Sequence, residues 1–308
     1  MPVMQSHISW CDSTWNPMTG CTKVSPGCDN CYAEAMSKRM WGDRAFTDIR
    51  VHPERLDQVR KFKPIEDADG SLRPRLVFVN SMSDIFHEEV PDAFRDRVFD
   101  AIEDTPLTVF QCLTKRAHTM RAYIGARFKG RSVPDNIWLG PSVEDNRVKG
   151  RLRITRALKD DVGDFTAFAS VEPIIGPCDA LDFTRIDWVL TGGESGWHAR
   201  PMQLEWLRQA HHGARAAGAA IHFKQFGRWR NNPLYRRAPD RLSHLDKVRW
   251  AIDHGEREAR VAGTAPDKLK IEGEKGGATL DGEVLHEKPP AYYRIKDRLN
   301  QQPRSTLV

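Results

Sequence analysis

Leu107-Thr-Val-Phe-Gln-Cys-Leu113, followed at once by the polar Thr114-Lys-Arg116 and the helical pattern of Lys115 to Phe128, is the stretch that decides the fold class. A run this short and this rich in apolar and β-branched residues reads as a strand covered on both faces. A helix directly behind it makes a strand–helix unit. Such units join parallel strands through right-handed crossovers.

Working outward, the unit recurs. Apolar runs lie at Leu76-Val-Phe-Val79, Asn136-Ile-Trp-Leu139, Phe165-Thr-Ala-Phe-Ala169, Ile186-Asp-Trp-Val-Leu190 and Ala220-Ile-His-Phe223, with a first strand expected near Ser13 to Asn16. Helical patterns fall between most of them, at Ala33 to Met40, Asp92 to Glu103, Asp145 to Ala157 and Leu204 to Ala217. Pro91 and Pro201 stand where a first helical turn tolerates proline. This repeat predicts an α/β chain: a partial or full TIM-like (β/α) barrel of six or seven parallel strands, or else an open doubly wound sheet. The barrel-like domain is expected over residues 1–227, with a basic C-terminal extension over 228–308.

Composition agrees with a large packed core. The chain has 308 residues, 40% of them hydrophobic, and a net charge of +5. No segment approaches the roughly 18 apolar residues of a membrane span, and no basic stretch leads into an apolar run at the start, so a cytoplasmic setting is expected. Six cysteines in such a setting favour metal or catalytic roles over disulfides. From Lys224 onward, 18 Lys and Arg stand against 12 Asp and Glu, a net of +6, so the basic excess belongs to the last quarter. That asymmetry suits either a nucleic-acid or phosphate surface, or a solvated basic face.

The strand ends carry the chemistry. After them come Asn80-Ser-Met-Ser-Asp84, Thr114-Lys-Arg116, Gly140-Pro-Ser-Val-Glu-Asp145, Ser170-Val-Glu-Pro173, Thr191-Gly-Gly-Glu-Ser-Gly196 and Lys224-Gln225. All are polar, and all are expected on the carboxyl-end rim, where active sites of such folds are built. The segment after the first strand shares that rim: Gly20-Cys-Thr-Lys-Val-Ser-Pro-Gly-Cys-Asp-Asn-Cys-Tyr-Ala33. Three thiols, Cys21, Cys28 and Cys31, are an informative number. Two make a disulfide and four close a zinc site, whereas three leave a metal one open position. An iron–sulfur cluster with an open iron, a zinc site completed by His7, Cys11, Cys112 or Cys178, and no metal at all are the alternatives. Cys112, inside a strand, and Cys178, after a proline turn, read as core thiols, and Cys11 is expected at the opposite sheet end.

A resemblance follows from these residues. Three closely spaced cysteines after the first strand of a (β/α) barrel resemble the [4Fe–4S] site of radical S-adenosylmethionine enzymes. More narrowly, Thr14-Trp-Asn-Pro-Met-Thr-Gly-Cys21, Val24 to Ala33, Ser83-Asp-Ile-Phe-His87, Ser170-Val-Glu-Pro173, Gly192-Gly-Glu-Ser195, Ala199-Arg-Pro-Met202, Phe223-Lys-Gln-Phe-Gly227 and Ala278-Thr-Leu-Asp-Gly282 resemble a phage and bacterial three-cysteine-motif family of unknown function. Two departures from the wider superfamily stand out. The first cysteine gap holds six residues where three are common, and Asn30, with Tyr32 just after the last cysteine, replaces the aromatic residue usual just before it.

What the resemblance implies is a cluster held by Cys21, Cys28 and Cys31 and S-adenosylmethionine bound at its open iron. Reductive cleavage of that cofactor would yield a 5′-deoxyadenosyl radical. Tyr32, Asn80, Ser81, Ser83, Asp84, Ser142, Glu144, Gly192 and Gly193 are the expected cofactor contacts. Glu172 and Glu194 are expected in acid–base or substrate roles, and Lys224 opposite a carboxylate or phosphate. Implied partners are a nucleic acid or phosphorylated small molecule, and an electron donor such as a flavodoxin or ferredoxin. The competing class is a zinc-stabilised nucleic-acid-binding protein without catalysis. Smaller features are read more plainly. Trp15, Trp41 and Trp197 suit core packing or base stacking, His211 and His212 suit the surface of their helix, and Glu272-Gly-Glu-Lys-Gly-Gly277 is a turn-rich loop.

Overall fold

Seven parallel strands carry the molecule, as seen in a computed structural model that describes residues 6, 8–196, 198–261 and 276–303. They are β1 (Ser13–Trp15), β2 (Arg75–Val79), β3 (Thr108–Thr114), β4 (Ile137–Pro141), β5 (Phe168–Val171), β6 (Trp188–Gly192) and β7 (Ala220–Gln225). The first four form one parallel sheet in sequence order, and β5, β6 and β7 form another. Parallel bridges at Leu139 with Ala167 and Ser142 with Ser170 link β4 to the β5 side. The strands therefore follow one another around a curved surface.

Alternation along each strand explains the layers. Val77 and Val79 of β2 join a core with Phe110, Ile137, Leu139 and Val189, which the helices cover. Leu76 and Phe78 turn to the other face, with Val109, Trp138, Phe168, Trp188 and Leu190. Both faces are buried, as the near-continuous apolar runs require. On the outer face pack α2 (Asp92–Glu103), α3 (Ala117–Arg127), α4 (Gly150–Val162) and α5 (Leu204–Ala216). Helix α2 offers Phe94, Val98, Phe99 and Ile102 as its apolar stripe. The earlier helix α1 (Tyr32–Met40) buries only Ala33 and Ser37.

The barrel stays open. Among the described residues no strand pairing joins β7 back to β1. The free edge of β7 is instead taken by an antiparallel segment, through Phe223 N–H to the Leu285 carbonyl at 2.7 Å and Glu287 N–H to the Ile221 carbonyl at 3.0 Å. Of the expected alternatives, the partial barrel describes this sheet. Beyond β7 come α6 (Pro233–Arg237), α7 (His244–Val261) and α8 (Pro290–Gln301). Helix α8 sets Tyr292, Ile295 and Leu299 against the inner-face cluster, plugging the barrel beside Trp10 and Leu76.

Boundaries differ most from expectation at two elements. A 3₁₀ turn at Asn146–Val148 precedes α4, which runs on to Val162 and stops at Gly163 with φ 81°. The strand expected from Phe165 begins at Phe168, because its preceding residues serve as partners for β4 and for Asp187. His211 corrects the surface reading. It is 8% exposed, and its ring meets the Thr191 hydroxyl at 2.8 Å, while His212 is exposed. No helix among the described residues is long and apolar enough to cross a membrane.

Candidate functional site

The cysteine loop is fastened to the carboxyl-end rim of the sheet by polar contacts from one strand after another. Behind β2, buried His87 reaches the Thr22 hydroxyl through Nε2 at 2.8 Å. Behind β3, the Arg116 guanidinium donates to the Thr22 hydroxyl at 2.7 Å, the Thr22 carbonyl at 3.1 Å and the Cys21 sulfur at 3.5 Å. Behind β4, Glu144 accepts from the Ser25 hydroxyl at 2.5 Å. Behind β6, Arg200 donates to the Pro26 carbonyl at 2.8 Å, and Glu194 accepts from the Asn30 amide at 2.9 Å. Gly27 is required by this fit: a Cβ there would lie 2.2 Å from the Glu144 side chain.

Arg116 is the electrostatic anchor of the rim. Although 6% exposed, it pairs with Asp84 at 3.3 Å and Glu88 at 2.8 Å. Burial opposes its charge, and the neighbouring carboxylates more than offset that, so the guanidinium is held firmly protonated. The Cys21 thiol beside it is pushed up to about 11 by burial, with Asp84 adding to the effect and Arg116 opposing it. Cys21, Cys28 and Cys31 are free and half-buried. They share one loop without forming a ready-made ligand set: among the described residues no three Cys, His, Asp or Glu side chains are placed to hold a metal ion.

The other expected ligands divide clearly. Cys112 and Cys178 are buried core thiols, each raised to about 12 chiefly by burial. Cys11 is buried as well and lies 3.3 Å from the Ser6 hydroxyl. His7, Trp197 and residues 272–275 lie outside the described residues.

The expected cofactor contacts are gathered around the loop, but most are occupied by protein partners. Asp84 accepts both Thr114 Oγ1 contacts at 2.8 Å, the Phe86 N–H at 3.0 Å and the Lys115 N–H at 3.2 Å, and so fixes the turn after β3. Ser83 donates to the Met18 carbonyl at 2.9 Å, and the Ser81 carbonyl accepts from the Tyr32 hydroxyl at 2.8 Å. Ser142 takes the Lys115 ammonium at 2.6 Å and donates to the Glu172 carbonyl at 3.1 Å. Glu144, 1% exposed, is also held by Arg151 at 2.9 Å. Gly192 and Gly193 serve close packing: added Cβ atoms would come 2.6 Å from the Glu172 carboxylate and 2.2 Å from the Phe226 carbonyl.

Asn80 is different. Its backbone takes φ 68°, its amide nitrogen reaches the Ser83 hydroxyl, and it is 3% exposed. Its Oδ1 is buried with no hydrogen-bond partner. An orphaned acceptor at a polar rim is a place for a ligand's donor.

Two further groups on the rim form a partly buried ion pair. Glu172 pairs with Lys224 at 3.0 Å, and their side chains are 13% and 27% exposed. Glu194, by contrast, is wrapped by Arg200, whose N–H and Nε contact it at 2.8 and 2.9 Å. Burial raises its proton affinity, but the bonds from Arg200 and Asn30 prevail and hold the carboxyl below its usual range. Residue-type reasoning missed Lys115, Arg116, His87 and Arg200 as site residues, although each lies within or next to a quoted rim motif. Lys115 and Arg116 carried a signal as cations directly past a strand end, whereas His87 and Arg200 lie farther along their loops.

The residues present suit a cluster and its cofactor by the chemistry of their donors: three thiols, an anchoring cation and one unpaired acceptor on the same rim. Comparison with known proteins gives one strong match. A family model described as Protein of unknown function (DUF5131) matches residues 5–289. No curated protein matches the sequence. Among solved structures, a cysteine-to-serine variant of spore photoproduct lyase aligns with 15% identity and a TM-score of 0.48, covering 72% of this chain and 79% of that one. A tyrosine-to-phenylalanine variant gives 14%, 0.49, 73% and 79%. A double variant with bound AdoMet and dinucleoside spore photoproduct gives 16%, 0.42, 69% and 63%.

Proposed function

The chain belongs to the family of proteins of unknown function DUF5131, and on that premise we propose that it is a radical S-adenosylmethionine enzyme. The observation that carries the reading is the fastening of a three-thiol loop, free of disulfides, to the carboxyl-end rim of a parallel open barrel. Cys21, Cys28 and Cys31 would hold a [4Fe–4S] cluster. With S-adenosylmethionine bound, that group supplies one-electron cleavage of a sulfonium carbon–sulfur bond and the hydrogen abstraction that follows.

The chain's own groups divide the remaining work. Arg116 holds the loop and offsets thiolate charge at Cys21. The unpartnered Oδ1 of Asn80 would accept a hydrogen bond from a donor of the bound cofactor. Glu144, Arg200 and Glu194 fix the loop from the far side and limit water entry. Glu172 and Lys224, a partly buried pair, would face substrate, with Lys224 placed for a carboxylate or phosphate and Glu172 for a proton. Domain limits follow the same reading, with the barrel over 1–227 and the basic extension over 228–308 supplying a phosphorylated or nucleic-acid substrate surface.

Anaerobic reconstitution with iron and sulfide tests this. The protein should bind a reducible cluster whose EPR spectrum changes with S-adenosylmethionine, and should release 5′-deoxyadenosine. Alanine at Cys21, Cys28 or Cys31 should each abolish iron retention, whereas Cys112→Ala should retain it. Stoichiometric zinc in protein purified without air sinks the proposal.

A further inference from the structure

The basic excess of the chain is concentrated in one short stretch. Residues 224–241 carry six Lys and Arg against the single acid Asp240, a net of +5 that equals the net charge of the whole chain. The stretch leaves the carboxyl end of β7 and so starts on the rim that holds the cysteine loop, where Arg228 donates to the Gly196 carbonyl behind β6 at 3.3 Å. Its backbone is tied down from inside. Buried Asn231 donates to the Phe226 carbonyl at 2.9 Å, buried Asn232 donates to the Gly276 carbonyl at 2.7 Å, and Leu234 and Ala238 are buried. Arg230, Arg236, Arg237 and Arg241 are left exposed.

Few acids answer these arginines. Arg237 meets Glu258 at 3.2 Å, whereas Arg230, Arg236 and Arg241 make no ion pair among the described residues. Arg236 lies against Arg230, its Nε donating to that residue's carbonyl at 2.6 Å. Elsewhere Arg121, Arg127, Arg185 and Arg215 each hold a carboxylate. A merely solvated basic face would be laced with acids in the same way.

We propose that residues 224–241 form the backbone track for single-stranded nucleic acid beside the cysteine site, an inference that rests on the proposed function and narrows its substrate class. The cations stand on both sides of the short helix α6, which suits a repeated anion more than one phosphate. Guanidinium forks match phosphate oxygens. An acidic protein would need an apolar centre to bury, and Leu234 and Ala238 are already covered. Trp229 and Tyr235, partly exposed with ring centroids 6.5 Å apart, offer faces to unstacked bases, which a duplex keeps to itself. Lys224, at the start of the stretch, pairs with Glu172 and so joins the track to the site.

Fluorescence anisotropy of a labelled single-stranded oligonucleotide of mixed sequence, titrated with the protein before and after reconstitution, tests this. Binding should weaken with salt. Arg230→Ala with Arg236→Ala should weaken it about tenfold and flatten the log–log salt dependence by about 0.7 for each arginine lost. Arg294→Ala, which removes an exposed cation on α8, should change neither. Both variants should keep the wild-type urea midpoint and iron content. An unchanged salt slope in the double variant overturns the proposal. So does tighter binding of the duplex of the same sequence, or capture by phosphatidylglycerol vesicles while the oligonucleotide does not bind. Oligonucleotide binding without release of 5′-deoxyadenosine leaves the track in place and sinks the enzyme reading; release without oligonucleotide binding does the reverse.

Discussion

Asn80 shows how a single side chain can separate structural from functional demand. Its left-handed backbone and its bond to Ser83 are structural, and asparagine tolerates both. Its unpaired Oδ1 is not structural, because burying an acceptor without a partner costs about 1–3 kcal/mol. Asn80→Ala should therefore weaken S-adenosylmethionine binding about tenfold, measured directly on the reconstituted protein, while stability falls by only about 1–2 kcal/mol from the backbone. Unchanged affinity would remove Asn80 from the cofactor contacts. The sequence alone made Asn80, Ser81, Ser83 and Asp84 equivalent, as four polar residues on one rim. Only the hydrogen-bond inventory separates Asp84, whose oxygens are occupied by Thr114, Phe86, Lys115 and Arg116, from Asn80.

Elements were legible where period and length agreed. Six of the seven strands were marked by apolar runs, because a strand buried on both faces must be largely apolar, whereas the first, Ser13-Thr-Trp15, is not such a run. The start of α4 was not, since Asp145 caps a short 3₁₀ turn first by accepting from the Arg147 N–H at 2.9 Å. Glycines were harder still. Gly192-Gly193 suggested a ligand cradle, but the backbone of Gly193 passes so near the Phe226 carbonyl that packing alone demands it. Gly193→Ala should accordingly destabilise the fold by about 1–3 kcal/mol, comparable to overpacking a core, read as a lower urea midpoint with an unchanged m-value. A wild-type midpoint would return these glycines to a ligand role.

At the scale of the whole molecule, histidines kept neutral inside contribute to acid sensitivity. Burial lowers His211 to about 4, with Arg215 adding, and lowers His222 well below its ordinary value. Between the unfolded value near 6.5 and the folded value, the unfolded chain binds more protons. Their stabilising contribution is therefore fully present above about pH 6.5 and is lost as pH falls toward about 4. Denaturant midpoints measured across that window should decline steadily, and His211→Gln should flatten part of the slope. An equally steep decline in the variant would place the acid sensitivity elsewhere. None of this was visible in the sequence, where His211 and His212 are neighbours; only the fold turns the first inward and the second out.

The strap at Leu285–Glu287 has a temporal side. Synthesis runs from the amino end, so β7 is made some sixty residues before the segment that covers its edge. A nascent chain thus carries a bare strand edge until that segment leaves the ribosome, and a bare edge invites pairing with other chains. The edge of β7 is therefore covered only after that later segment has been made.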